Sequence, residues 1–501
     1  MGPGRLAARA RLVVDRPSNL GDLFERTAAA RGDAPLVDEV DGLLIDHRQA
    51  ADRVDGLAGA VAARVDAGDR VVVATPNSYD QLLISLAVMR AGAISVPVND
   101  QMTATEVDGV IEDAEAALAV RSVDELPVDR PLGENRAGVT TETAALFYTS
   151  GTTGRPKGAE LTHRSLLAQL VAGSLWPAAL RRDEALISLP VAHIMGFVAL
   201  LAAAVAGVPV HFRPHFRPVE VLDAIEGRRC TIFIGVPAMF RMLEEAGAAE
   251  RDLTSVRVWA SGADAMPSDL ARRFKAYGAS ATLPVLGPVG EAAFAEGYGM
   301  VEMGGGVATK ISPPYLGFGL GDSLGIPTPR HAFRVVDDHG DTVAPGREGE
   351  LLVRGPGVLR SYWGAPDDTA AILTEDGWLR TGDLARRGPL GTALFAGRKK
   401  DVILSGGYSV YPPEIEGVLE QHPGVAEAAV VGLPDERDGE VPVAAVRVAG
   451  PGSPGGDELV IWAAARLAAY KAPRRVVVTD ELPRTGTRKV KRRELLPLFD
   501  E

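Results

Sequence analysis

Short apolar runs alternate with amphipathic stretches over the first 130 residues and again from Leu166 to Ser261, and this alternation restricts the fold. Ala50 to Val65 spaces its apolar residues helically, and Asp69 to Thr75 reads as a buried strand closed by Pro76-Asn77. A helix over Tyr79 to Ala91 and a strand ending at Ser95 to Asn99 follow. Farther on, Leu186–Leu189, Val208–Phe212, Thr231–Ile234 and Val256–Trp259 read as strands with helices between them. Strand–helix–strand repetition of this kind predicts a parallel, doubly wound sheet covered on both faces. Ile326 to Leu394 breaks into shorter strands and turns, a β-rich subdomain. Charge density rises at Gly397-Arg-Lys-Lys-Asp401, and a unit of about 100 residues follows, the size of a small domain. Its strands are Val425–Leu433 and Val441–Val448. The expected organisation is therefore α/β: residues 1–396 form a large N-terminal domain, and 397–501 a small α+β C-terminal domain.

A chain of 501 residues with 46% hydrophobic content can bury several cores. A net charge of −13 argues against nucleic acid or an anionic membrane as the main partner. One cysteine, Cys230, excludes an internal disulfide and fits a reducing compartment, and its apolar setting (Cys-Thr-Ile-Phe-Ile) reads as core packing. The longest apolar run, Phe197 to Val210, is shorter than the roughly 20 residues that cross a bilayer and reads as a buried helix. Met1 to Val14 lacks the apolar centre of a signal peptide. The expected location is the cytoplasm, without a membrane span.

Tyr148-Thr-Ser-Gly-Thr-Thr-Gly-Arg-Pro-Lys-Gly158 concentrates hydroxyls, three glycines and a lysine between an apolar run (Ala144 to Phe147) and a predicted helix (Leu161 to Ala172). Glycines let backbone N–H groups turn inward, hydroxyls add donors, and Lys157 adds a mobile positive charge, so the segment suits a polyphosphate. Lys157 precedes Gly158 rather than Ser or Thr, so this is not a Walker A loop. Lys471 to Arg493 holds nine basic and two acidic residues. Such a run suits either an anionic ligand or a solvated charged face.

The loop resembles the phosphate-binding motif of the adenylate-forming superfamily, which includes acyl-CoA synthetases, adenylation domains of peptide synthetases and luciferases. Further stretches resemble the family's other motifs in order, from about Leu20 to Leu498. The resemblance implies that Thr149, Ser150, Gly151, Thr152, Thr153, Gly154 and Lys157 bind the phosphates of ATP. His193, in Leu189-Pro-Val-Ala-His193, is implied to line the carboxylate pocket. Gly262 and Ala263, in Ser261 to Pro267, form one wall of the adenine site. In Gly297-Tyr-Gly-Met-Val-Glu302, Tyr298 and Gly299 meet adenine and Glu302 holds Mg2+. Asp383 takes the ribose hydroxyls, and Arg398 serves the same region. Lys400 is the hinge, so the C-terminal domain is expected to be mobile. Gly406, Gly407 and Tyr408 line the tunnel for CoA, and Lys489 is the catalytic lysine. Three departures stand out. Val301 replaces the family's Thr, Arg488 replaces its Gly, and Ala276 to Ala295 is longer than the family norm, a difference expected to reshape the pocket floor.

The chemistry so implied is two-step: carboxylate and ATP form an acyl-adenylate, and a thiol then displaces AMP. Lys157, Lys489 and Mg2+ offset the phosphate charge, and no side chain serves as covalent nucleophile. Segments expected near the acid include Phe197, Val236 and Gly304 beside His193. They are small and apolar, without a cation for a second carboxylate, and the glycines after Met303 leave room. A medium- or long-chain fatty acid is the expected substrate, with an aryl acid as alternative. The acceptor is CoA or the pantetheine of an acyl carrier protein. A nucleotide-binding pseudoenzyme is the reading from another class, opposed by the joint presence of Lys157, Glu302, Asp383, Arg398 and Lys489. Monomer and homodimer both remain open.

Overall fold

A computed structural model describes residues 19–139, 141–149, 156–168, 170, 183–283, 285–316, 321–405, 408–448, 450, 453–485 and 489–500. Ser150, Gly151, Thr152, Thr153, Gly154, Gly406, Gly407 and Arg488 lie outside them. The chain forms two compact units. One comprises residues up to 320 with Gly325–Ala332 and Arg354–Leu379, and the other comprises Gly321–Leu324, Phe333–Val353 and Arg380 onwards.

The first unit holds two large sheets. The six-stranded one runs Ser361–Tyr362, Lys157–Thr162, Thr143–Thr149, Ile94–Pro97, Arg70–Val73, Leu118–Val120. Its Thr143–Thr149, Ile94–Pro97, Arg70–Val73 and Leu118–Val120 strands are mutually parallel, and Lys157–Thr162 and Ser361–Tyr362 are added antiparallel. The nine-stranded sheet runs Ile326–Pro327, Gly305–Ser312, Ala293–Met300, Val258–Gly262, Ile232–Gly235, Ala185–Ile187, Val210–Phe212, Pro35–Glu39, Leu44–Asp46. From Pro35–Glu39 to Ala293–Met300 its neighbours are parallel, as the alternating pattern predicts.

Helices fill the space over these sheets. Tyr79–Arg90 is apolar on nearly every side and is correspondingly buried at every residue but Asp80. Its Gln81 is tolerated there because the Nε2 group donates to the carbonyls of Val73, Thr75 and Val98. Ile194–Ala206 accounts for the long apolar run, although it ends four residues early, at Gly207 with φ +69°. Under the larger sheet, Phe233, Phe240, Trp259, Phe274 and Phe294 pack largely edge to face, with centroids 4.9–6.1 Å apart. Cys230 lies in this core, and desolvation first, then Glu184, pushes its thiol up to about 12. Among the described residues no helix is long and apolar enough to cross a membrane.

The second unit has a four-stranded sheet, ordered Ala332–Val336, Glu348–Arg354, Leu379–Arg387, Ala393–Arg398. Its five-stranded sheet centres on Gly439–Val448, flanked by Val425–Asp435, Ile403–Ser405 and the parallel Arg475–Thr479, with Tyr408–Val410 outermost. Pro412–Leu419 and Gly456–Ala464 cover one face around Val430, Ala444 and Val446. The boundary read at residues 396/397 falls inside this unit, within the Ala393–Arg398 strand. Gly397 is there because a Cβ would stand 3.3 Å from the Tyr411 ring at φ +153°.

Candidate active site

Lys157 opens a strand, not the approach to a helix. Lys157–Thr162 pairs antiparallel with Thr143–Thr149, in the register Thr149↔Lys157. Of the helix expected over Leu161 to Ala172, the described residues show His163–Leu167, and residues 169, 171 and 172 lie outside them. The start moves from Leu161 to His163 because Leu161 and Thr162 belong to the strand, and the Thr162 side chain then caps the helix by accepting from the Ser165 N–H at 3.1 Å. Glu160 sits in that strand as a buried carboxylate, accepting from the hydroxyls of Thr143 and Ser361, with Arg360 3.6 Å away.

The edge strand Ser361–Tyr362 completes the site. Tyr362 lies opposite Ala159, and the Trp363 N–H donates to the Gly158 carbonyl at 2.8 Å. The Tyr362 hydroxyl donates to Glu302 Oε1 at 2.8 Å, while Lys157 Nζ stands 5.6 Å from the centre of the same ring. Lys157 Nζ also pairs with Asp368 Oδ1 at 2.5 Å. Desolvation, then the charges of Glu302 and Asp368, raises the Tyr362 phenol well above its ordinary value, so it stays a donor. Glu302 is in the turn Val301–Met303, and its carbonyl accepts from the Leu359 N–H at 2.8 Å. His331 braces this segment: its Nε2 accepts from the Gly357 N–H at 3.1 Å, leaving the Nδ1 proton for Thr328 Oγ1 at 2.9 Å.

Parallel pairing of Val258–Gly262 with Ala293–Met300 sets Gly262 opposite Gly297, one residue from Tyr298. Ala263 follows with φ +69°, a left-handed conformation that a residue with a Cβ adopts at a cost of about 1–2 kcal/mol. Buried Ser261 Oγ has no hydrogen-bond partner among the described residues. An orphaned hydroxyl and a strained turn are features that functional sites retain. His193 caps the Ile194–Ala206 helix, its Nδ1 accepting from the Met195 N–H at 3.3 Å. Val236 is the residue before the Pro237–Glu245 helix. Phe197 is fully buried, edge-on to Phe147 at 5.4 Å. Gly304, at φ +64°, has the Ser165 and Gly357 carbonyl oxygens 2.9 and 3.1 Å from where a Cβ would be. A Cβ on Gly299 would meet the Gly305 carbonyl at 1.8 Å. Gly299 and Gly304 both serve close backbone approach, and at Gly304 this stands against the expectation of space for an acyl chain.

In the second unit, Asp383 and Arg398 face each other across paired strands, with Arg398 Nε 3.2 Å from Asp383 Oδ1. Lys400, in the turn Lys399–Asp401, has its pKa lowered by desolvation, with help from Arg398 and Arg493 against Asp401 and Asp383. Tyr408 stacks on Tyr470 with centroids 4.5 Å apart. The Lys489 carbonyl accepts from the Thr485 N–H at 2.8 Å, and the Lys489 N–H donates to Thr485 Oγ1 at 3.1 Å. Five basic residues of the run pair with carboxylates within the unit. Lys471 pairs with Glu414, Arg474 with Asp438, Arg484 with Glu427, Lys491 with Glu494 and Arg492 with Glu416. Three of those partners lie upstream of residue 430, outside any window in which composition alone would find them.

Tyr362, Asp368 and His331 escape sequence reasoning. Tyr362 reaches the site through a strand pairing, Asp368 through its ion pair with Lys157 and His331 through a hydrogen bond from the Gly357 N–H, and none sits in a motif of unusual composition. The sole local signal is the Tyr-Trp pair before Gly364, an aromatic cluster in a turn-rich stretch.

A family model described as AMP-binding enzyme matches residues 24–363, and one described as AMP-binding enzyme C-terminal domain matches residues 414–489. Feruloyl-CoA synthase of an Amycolatopsis species is 35% identical over 488 residues, covering 91% of this chain and 94% of that protein. The fatty acid–[acyl-carrier-protein] ligase ScoC of Streptomyces coeruleorubidus is 36% identical over 471 residues, covering 87% and 88%. The crystal structure of ATP-bound MatB from Rhodopseudomonas palustris matches with a TM-score of 0.81 at 29% identity, over 96% of this chain and 99% of that one. By sequence over nearly its whole length and by fold, the chain belongs to the AMP-binding enzymes.

Proposed function

We propose that this acid–thiol ligase activates a hydrocarbon-bodied monocarboxylic acid with ATP and passes the acyl group to a pantetheine thiol, with CoA as the first choice of acceptor. The observation that carries the reading is the connected set Lys157, Tyr362 and Glu302, which joins a phosphate-seeking cation to a metal-seeking carboxylate. In the first step a carboxylate oxygen attacks the α-phosphorus, the bond to the β-phosphate oxygen breaks, and pyrophosphate leaves. Lys157 offsets negative charge on the leaving group, and Lys489 offsets it at the α-phosphate. In the second step the thiol sulfur attacks the acyl carbon, AMP leaves, and the thiol proton is released. His193 borders the acid's carboxylate, with Phe197 and Val236 farther along the pocket. Tyr298 and the Gly262–Ala263 turn take the adenine, Asp383 and Arg398 the ribose, Lys400 the hinge, and Tyr408 the approach of the thiol.

Glu302 fits a magnesium ligand: it is a single carboxylate with one oxygen fixed by a phenol, and Mg2+ needs little more from protein when phosphates complete its shell. Bound there, the ion would neutralise phosphate charge.

The acid's body is read from what its neighbours desolvate. Phe197 and Val236 are apolar, and His193 is the sole titratable side chain named among them. Fatty and aryl acids both meet that description, as the names of the two relatives illustrate. The carrier-protein ligase among them also favours a second reading, in which the thiol belongs to a carrier protein. The test is pyrophosphate release with a panel of fatty, aryl and dicarboxylic acids, followed by AMP release on adding CoA or pantetheinylated carrier protein. Acid-dependent pyrophosphate release that Lys489→Ala abolishes, while preformed acyl-adenylate still reacts with thiol, is the expected result. Silence across the whole panel would overturn the reading.

A further inference from the structure

Lys157 is held by a carboxylate that the two-step chemistry does not use. Its Nζ is 2.5 Å from Asp368 Oδ1, with Asp368 43% and Lys157 20% exposed, so solvent reaches the pair and an incoming anion can too. Asp368 is carried on the Pro366–Ile372 helix, which is fastened to the same tyrosine that faces Lys157. The Tyr362 N–H donates to Thr369 Oγ1 at 2.9 Å, and Thr369 Oγ1 donates to the Ala365 carbonyl at 2.8 Å. Asp368 therefore stands at a set position relative to both Tyr362 and Lys157, unlike a surface carboxylate that pairs in passing.

We propose that Asp368 is the resting counter-ion of Lys157 and sets how tightly the site holds polyphosphate. It yields Lys157 to an entering triphosphate and recovers it as pyrophosphate leaves. This rests on the assignment of Lys157 as a phosphate ligand. An exposed ion pair is weak, so a multiply charged phosphate displaces it. After displacement the carboxylate lies beside the phosphates, and like charges at that range weaken binding. The arrangement trades affinity for release: Lys157 stays oriented when no phosphate is bound, and pyrophosphate meets a competing anion at its own binding site.

The experiment measures equilibrium binding of magnesium pyrophosphate to the full chain, together with KM for ATP. Asp368→Asn is expected to tighten pyrophosphate binding and lower KM for ATP about three- to tenfold without raising kcat. Asp367→Asn removes an adjacent exposed carboxylate of the same helix and should change neither, and Asp368→Glu should restore wild-type values. On a Lys157→Ala background the Asp368→Asn effect should vanish, as a double-mutant cycle requires of a pair acting through each other. Equal effects of Asp368→Asn and Asp367→Asn, weaker pyrophosphate binding in Asp368→Asn, or an undiminished effect without Lys157 would each overturn the proposal. Wild-type pyrophosphate binding by Lys157→Ala alone would instead overturn the assignment of Lys157 as phosphate ligand.

Discussion

Tyr362 does two tasks with one ring: its face borders the Lys157 ammonium and its hydroxyl fixes Glu302. Tyr362→Phe separates them, because the ring remains while the charge-assisted hydrogen bond is lost. Outer partners of metal ligands are typically worth 10- to 100-fold in affinity, so the variant should need roughly tenfold more Mg2+ for half-maximal pyrophosphate release. An unchanged Mg2+ titration would show that Glu302 is oriented by other contacts. Legibility at this scale divides by how far the signal travels. Lys157, Glu302, Asp383 and Lys489 announce themselves by residue type within short ordered motifs. Tyr362 and Asp368 do not, because their meaning comes from pairing: Ser361, next to Tyr362, bonds a residue 201 positions away. Ala263 is likewise ordinary as a letter and unusual only as a dihedral angle.

Among the elements, parallel strands and their helices were readable to within a few residues, because doubly covered strands are short and apolar. Two readings shift. The helix expected from Leu161 starts at His163, because Leu161 and Thr162 end the buried strand that begins at Lys157. Gly304, expected to leave pocket space, has carbonyl oxygens where its side chain would be. Gly304→Ala combines left-handed strain with overpacking, and is expected to destabilise the first unit by about 2–4 kcal/mol. Gly377→Ala is the comparison: φ is +81° but nothing lies within 4 Å, so about 1–2 kcal/mol of strain alone is expected. Chemical denaturation of both variants checks the difference, and equal losses would show that the carbonyls around Gly304 simply move aside. The stretch from Ala276 to Ala295 contains a small antiparallel pair, Ala281–Leu283 against Gly287–Val289, with Val285 94% and Leu286 75% exposed.

For the molecule as a whole, buried neutral histidines make a contribution to acid sensitivity that net charge does not show. Burial lowers His47 and His163 to about 4 from 6.5, and desolvation leads in lowering His331 as well. His163 Nδ1 accepts the Leu20 N–H at 3.2 Å, a role that protonation abolishes. The unfolded chain binds these protons first, so the stability in question is complete above about pH 6.5 and is lost as pH falls towards 4. At pH 5 each of His47 and His163 should contribute a loss on the order of 2 kcal/mol, seen as a lower urea midpoint than at pH 7. His163→Gln should flatten that dependence, and a midpoint that does not move between pH 7 and pH 5 would refute the account.

The late pairing of Ser361–Tyr362 with Lys157–Thr162 also bears on the order in which a ribosome delivers the chain. When Thr162 emerges, five strands of the six-stranded sheet have been made, but the outer edge, with Lys157 on it, has no neighbour. It must wait about 200 residues for one, while the greater part of the nine-stranded sheet is synthesised. An open strand edge is a template for wrong pairing, and a growing chain exposes this one longest. The strand that brings Tyr362 to Lys157 therefore also closes the sheet, so the phosphate end of the site is assembled only once that edge is no longer open to another chain.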